Sequence, residues 1–332
     1  MVAPVQVIAR APSFQYPNGF ISRMPIGHSG HALDGLRVVS LAAHLPGPLA
    51  VRQLMGFGAS VVKIEPPDGD PFAGYHPSWY EALVQGQRVV RLDLKDATSR
   101  PAFDEFLEGA DLLLTSSRPS SLERLGLGWT CVHERFPRLC YVAIVGSASP
   151  DADRPGHDLT YQASAGLVAP PQMPAVLLAD FAGAERSVSA SLALLMARER
   201  GADAGYAEVS LAAVAAQFNE PLRRGVTTPG SLFGGGLPGY GFYRARDGWM
   251  AVAALEANSW SAMRRAAGLA GGPSLTGPPS GSPSASQNAD PQMDRDALES
   301  HFLGNTMDYW AVWAVQNDLP IVAVRSHGAG TG

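Results

Sequence analysis

Apolar residues fall along this chain in short, separated runs, and the spacing inside each run decides which element it predicts. Leu36-Arg37-Val38-Val39-Ser40-Leu41 reads as a buried strand. Pro46-Gly47-Pro48 breaks it as a turn, and Leu49 to Phe57 then carries apolar residues at helical spacing. Gly58 fits the position just past a helix end. Ser60 to Glu65 reads as a second strand, ended by Pro66-Pro67. Strand, helix and strand in this order predict a right-handed βαβ unit in a parallel sheet. Val89 to Leu94 is a third strand. A helix follows from about Ser99 to Glu108, then strands over Asp111 to Thr115 and Arg138 to Val145. The first half is therefore α/β and doubly wound in style.

The second half is less regular. Ala184 to Arg200 is rich in good helix formers and predicts one long helix, stopped by Gly201. Tyr206 to Gln217 reads as a strand and then a helix. Gly225 to Gly241 is glycine-rich around Gly234-Gly235-Gly236. Trp249 to Leu255 is a strand, Met307 to Val315 a helix, and Ile321 to Val324 a last strand. The chain is read as a flexible leader (1–32), a large domain (33–200), a linking helix region (201–224) and a small domain (225–332). The small domain contains a Gly-, Ser- and Pro-rich loop at 271–291, expected to be flexible.

Bulk composition narrows the function. The chain has 332 residues, 46% apolar and 17% charged, enough to bury a large core. A formal net charge of −5 gives no general attraction to nucleic acid or to an anionic membrane. Any anionic ligand must be held by a local cluster of cations. Cys131 and Cys140 form neither a disulfide framework nor a zinc-site pattern, so a reducing, cytoplasmic setting is expected. No run of about 18 apolar residues exists, so no membrane span is expected. Nothing in the sequence calls for a metal or a redox cofactor, and neither GxGxxG nor a Walker A pattern occurs.

The candidate chemistry lies in two short glycine-marked turns. One is Gly156-His157-Asp158-Leu159-Thr160-Tyr161, the other Leu178-Ala179-Asp180-Phe181-Ala182-Gly183. They supply one imidazole and two carboxylates. An acid and a base brought together in this way can move a proton on and off a carbon beside a carbonyl. Read from the residues alone, His157 is equally a turn histidine bonded to backbone. Asp180 is equally the N-cap of a helix that begins just after it.

Several further phrases, taken in order, carry a resemblance. They are Leu33-Asp34-Gly35-Leu36-Arg37-Val38-Val39, Pro46-Gly47-Pro48, Gly58 to Pro67, Arg91-Leu92-Asp93-Leu94-Lys95, and Arg118 to Gly128. The series resembles the class III CoA-transferase (CaiB–BaiF) family over about residues 33 to 325. The two turns are most similar to the α-methylacyl-CoA racemase branch. The resemblance implies a Rossmann-like large domain with a doubly wound parallel sheet, a smaller α+β domain and an interlocked homodimer. It implies an acyl-CoA thioester substrate, with coenzyme A as part of that substrate and no other cofactor.

The same resemblance assigns residues. His157 and Asp180 would flank the α-carbon, one removing the proton and the other returning it on the opposite face. Glu256 would support the histidine, Asp158 would orient a helix or bond the ligand, and Tyr240 would sit in the active site. Arg118, Arg124 and Lys63 would serve the nucleotide phosphates, and Leu92 and Leu94 the adenine. Plain alternatives exist for several: a strand-end acid for Glu256, a packed aromatic for Tyr240, a solvated side chain for Arg118. Family transferases carry a nucleophilic aspartate where this chain reads Leu167 to Pro174, a stretch without a carboxylate. The expected activity is therefore an acyl-CoA racemase or epimerase. A CoA-transferase or a non-catalytic acyl-CoA-binding homologue stands as the alternative.

Overall fold

A computed structural model of the chain describes residues 6–7, 31–269 and 291–325. It forms two compact units, the first ending at Asn219 and the second beginning at Glu220. The strands are β1 (Gln6–Val7), β2 (Arg37–Ser40), β3 (Ser60–Glu65), β4 (Arg88–Arg91), β5 (Leu112–Thr115), β6 (Cys140–Val145), β7 (Tyr206–Ser210), β8 (Tyr240–Arg244), β9 (Trp249–Ala253) and β10 (Ile321–Ala323). The helices of the first unit are α1 (Pro46–Gly56), α2 (Pro71–Tyr75), α3 (Pro77–Val84), α4 (Arg100–Glu108), α5 (Pro119–Arg124), α6 (Trp129–Arg135), α7 (Asp158–Ser164), α8 (Leu178–Glu199) and α9 (Leu211–Phe218). The second unit adds α10 (Glu220–Arg223), α11 (Ala257–Ala266), α12 (Pro291–Leu303) and α13 (Met307–Gln316).

The first unit is built on one sheet in the order β1-β4-β3-β2-β5-β6-β7. Strands β2 to β7 are all parallel, and β1 pairs antiparallel with β4 at one edge. The central strands are apolar on both faces, as a sheet covered by helices on both sides requires. Leu112, Leu113 and Leu114 of β5 are all fully buried. Leu112 and Leu114 pack with α1 and α8 on one face, while Leu113 packs with Phe103 and Leu107 of α4 on the other. The result is the α/β, doubly wound architecture expected from the pattern of strands.

Several local expectations need correction. Pro46-Gly47-Pro48 is not a turn before the helix but its first turn. Proline is tolerated there because its missing N–H has no intrahelical partner in any case. Gly47 is needed because a Cβ at this position would overlap the side chain of Ala42. Strand β4 stops at Arg91, so Leu92 and Leu94 lie beyond it. Helix α8 begins at Leu178, before Asp180, not after it. The strand and helix read over Tyr206 to Gln217 are present as β7 and α9, and β7 hydrogen-bonds along β6 as the far edge of the large sheet.

The second unit is a three-stranded antiparallel sheet in the order β10-β9-β8, packed with α11 to α13. Its core is aromatic, with Tyr243, Trp260, Phe302 and Trp310 buried together. Of the loop expected at 271–291, only Pro291 falls among the described residues, and it opens α12. The leader at 1–32 is described only at Gln6–Val7, His31 and Ala32. Among the described residues, no helix is long and apolar enough to cross a membrane.

Because Leu113 is enclosed on β5, Leu113→Ala should cost about 2–5 kcal/mol of stability. Urea unfolding of the purified protein measures this, and an unchanged midpoint would contradict the placement of Leu113 in the core.

Candidate active site

The first unit reverses its strand order between β2 and β5, and the loops that follow these two strands meet there. Ser116, after β5, accepts a hydrogen bond from the Ala43 N–H (2.8 Å) and donates to the Ala43 carbonyl (3.2 Å). In open α/β sheets the crevice beyond the carboxyl ends of the strands at such a point is where ligands bind. The loops after β2, β5 and β6 carry His44, Arg118 and His157 to this end of the sheet.

His157 closes the long loop after β6 and occupies the N-cap position of α7. Its backbone is held by Thr160, whose hydroxyl accepts from the His157 N–H (3.0 Å) and donates to the His157 carbonyl (2.7 Å). These bonds use only the main chain and leave the imidazole exposed. The plain reading of His157 as a turn histidine is thus satisfied by its backbone, while its ring stays available to a ligand. The ring of His44 lies edge-on to it, with centroids 6.0 Å apart.

Asp158 is the first residue of α7, 4% exposed, and its carboxylate reaches α8. One oxygen accepts from the N–H groups of Ala179 (2.7 Å) and Asp180 (3.1 Å), and the other from the Gln162 side chain (2.5 Å). Asp158 therefore supplies the cap that the sequence seemed to offer in Asp180. The bridge brings the residue after His157 into hydrogen-bond contact with the backbone of Asp180. It ties the two turns into one joint.

Asp180 sits in the first turn of α8, where the helix dipole would ordinarily stabilise its anion. Two effects oppose this. Burial disfavours the charged form, and the negative charge of Asp158 adds to it, pushing the Asp180 carboxyl from its ordinary 3.8 up to about 7. The Asp158 carboxylate also occupies the N–H groups through which the dipole acts. Asp180 is thereby matched to proton exchange near neutral pH.

Tyr161 completes this cluster and was given no role from sequence. Its hydroxyl is packed where Cβ atoms at Gly146 and Gly156 would collide with it, so both glycines make room for the ring. Burial raises the Tyr161 pKa, the charge of Asp180 adds to the rise, and Arg118 opposes it. Phe181 lies 40% exposed beside Asp180, and its ring is 6.3 Å from that of Trp79.

The other expected site residues are distributed as follows. Arg118 is exposed at the start of α5. Arg124 is exposed and donates to the Ser121 hydroxyl (2.9 Å). Lys63 is only 1% exposed, its ammonium paired with Glu65 (3.1 Å) and with Asp70. A phosphate would have to displace a carboxylate to reach it. Leu92 belongs to the buried core, and Leu94 packs partly against it. In the second unit, Glu256 is exposed at the N-cap of α11 and makes no side-chain cap bond. Tyr240 is half-buried at the start of β8, edge-on to Phe233 at 5.1 Å. Cys131 and Cys140 are both free thiols. Among the described residues, no cluster of three or more His, Cys, Asp or Glu could hold a metal ion.

Comparison with known proteins places this geometry in context. Residues 33–329 match the sequence profile of CoA-transferase family III. A probable fatty acyl-CoA transferase of Mycobacterium tuberculosis is 31% identical over 59% of this chain and 55% of its own length. A succinyl-CoA–D-citramalate CoA-transferase of Chloroflexus aurantiacus is 28% identical over 54% of this chain and 49% of its own. The human α-methylacyl-CoA racemase is 29% identical over 72% of this chain and 65% of its own. The chain thus spans about half the length of the first two relatives and just under two thirds of the third. A crystal structure of a hypothetical M. tuberculosis protein superposes with a TM-score of 0.75 at 24% identity, covering 90% of this chain and 85% of that one. A CaiB/BaiF family protein from Brucella suis superposes with a TM-score of 0.70 at 20% identity, covering 90% and 85%. These two establish the fold.

The raised Asp180 pKa has a consequence for stability. Between about 4 and about 7 the folded state holds a proton on Asp180 that the unfolded chain releases, so this group makes the protein less stable as pH rises through that window. Asp180→Asn should flatten the fall. Urea midpoints measured across this range for both proteins test it, and identical slopes would contradict the raised pKa.

Proposed function

Because the chain belongs to CoA-transferase family III, we propose that it acts on an acyl-CoA thioester as a racemase or epimerase of the α-carbon. The observation that supports this best is the Asp158 bridge, which joins the turn of His157 to the first turn of α8. It sets an exposed imidazole and a carboxyl with a pKa of about 7 on two adjoining helix starts. An acid and a base set beside each other are what 1,1-proton transfer requires.

In this reading the His157 imidazole removes the α-proton and becomes imidazolium. The C–H electron pair passes into the thioester as an enolate. Protonated Asp180 then delivers its proton to the opposite face of the same carbon and becomes a carboxylate. The reverse transfer, from His157 imidazolium with Asp180 as base, converts the other enantiomer. Burial, with the Asp158 charge adding to it, keeps Asp180 protonated often enough to act as the acid. Arg118 and Arg124, both exposed, are assigned to the CoA phosphates, for which guanidinium is well suited. The protein acts in this reading as a cytoplasmic homodimer.

A second reading is supported by the transferase relatives. Asp180 would attack the thioester carbonyl as a carboxylate nucleophile, displacing CoA thiolate and forming a mixed anhydride. Its raised pKa disfavours the anion this needs, and the segment from Leu167 to Pro174 supplies no other carboxylate.

Incubation with one enantiomer of a 2-methylacyl-CoA should yield the racemate. His157→Ala and Asp180→Ala should each lower the rate by about 10²–10⁴. Retained racemisation in both variants would sink the reading. Trapping an acyl-enzyme with hydroxylamine, together with exchange of CoA between carboxylic acids, would move the assignment to the transferase.

A further inference from the structure

His44 received no role from sequence, yet the first unit spends several interactions on holding it. It is one of two described non-glycine residues with a left-handed backbone, at φ 63°. Side chains other than glycine pay for that conformation, and such outliers gather where geometry serves function. The His44 N–H donates to Asp70 (3.1 Å), which also accepts from the Phe72 N–H (2.9 Å). Asp70 is 3% exposed and pairs with the buried ammonium of Lys63, itself bonded to Glu65. Tyr80 closes this chain by donating to Glu65 (2.5 Å). The left-handed turn at His44 is therefore anchored to a buried ionic network, and its ring remains exposed beside that of His157.

Partial burial lowers the pKa of His44, and the charges of His157 and Lys63 lower it further against an opposing pull from Asp70. At neutral pH the ring is uncharged and carries one N–H. A thioester whose α-carbon lies at His157 places its carbonyl oxygen only about 2.4 Å away, across two bonds. Two imidazoles with centroids 6.0 Å apart suit a bracket around those two atoms.

We propose that His44 donates a hydrogen bond to the thioester oxygen as it becomes the enolate oxygen, while His157 and Asp180 exchange the α-proton. The assignment rests on the α-proton chemistry proposed above. His44 keeps its proton throughout, and only the carbon-bound proton moves. A neutral donor suits this task, because it stabilises developing negative charge without itself competing as an acid.

The test is deuterium entry into the α-position of a 2-methylacyl-CoA in deuterated water, with kcat and KM determined for three proteins. His44→Gly removes the ring and favours the left-handed backbone. His44→Asn also tolerates that backbone and restores an N–H donor. Wild type should exchange. His44→Gly should lose about 10²-fold in kcat with KM little changed, and His44→Asn should recover part of the loss. Exchange by His44→Gly at the wild-type rate would overturn the proposal while leaving the racemase reading intact. A KM rise shared by both variants, without rescue by asparagine, would also overturn it and make His44 a structural residue. No exchange by wild type would overturn the racemase reading itself, and the assignment of His44 with it.

Discussion

The candidate site depends on one buried carboxylate. Asp158 bonds two backbone N–H groups of α8 and the Gln162 side chain. Buried charge is costly when unpartnered, and here both oxygens are satisfied. The bridge does three things together. It supplies the cap that α8 lacks from its own N-cap residue, Leu177. It fixes the turn of His157 to the turn of Asp180. It also places a negative charge beside Asp180, which adds to the effect of burial in raising that carboxyl to about 7. A neutral cap would perform the first two tasks but not the third.

A second buried ionic group works on the opposite side of the switch point. Lys63 and Glu65 lie in the second half of β3 and Asp70 beyond its end, each nearly inaccessible. Such groups are weak sources of net stability, because desolvation offsets their attraction, but removing one partner strands the others. Their value here is positional. Asp70 divides its acceptors between the ammonium, α2 and the His44 backbone. The loop after β2 is thereby held in the conformation that presents His44 towards His157. A buried carboxylate and a buried ionic network thus support two exposed imidazoles, one through a helix start and the other through a left-handed turn.

Much of the large sheet was legible in the sequence, because strands buried on both faces read as continuous apolar runs. Leu112 to Thr115 and Cys140 to Val145 are such runs. Errors arose where the deciding partner is distant. The start of α8 is set by Asp158, and no window around Leu178 contains that residue. Pro46 looked like a breaker because the pattern does not show that its missing N–H falls in a first turn. Short helices such as α5 and α7 offer too few turns for periodicity to register. The two catalytic candidates were legible as paired turns, but His44 was not. Its significance comes from a backbone angle and from a contact across the sheet, neither of which leaves a local mark. Lys63 reads on paper as a free cation, and only burial between two carboxylates shows otherwise.

The account stands most directly on the link between the Asp158 charge and proton transfer at the α-carbon. Solvent deuterium entering a 2-methylacyl-CoA, followed for wild type and Asp158→Asn as pH is varied, measures that link. Asparagine keeps an acceptor for the α8 N–H groups and removes the charge. The account predicts exchange by wild type, and in the variant an apparent Asp180 pKa below about 7 but still raised by burial, with the exchange profile displaced to lower pH. Exchange in the variant with an unchanged pH profile would contradict it.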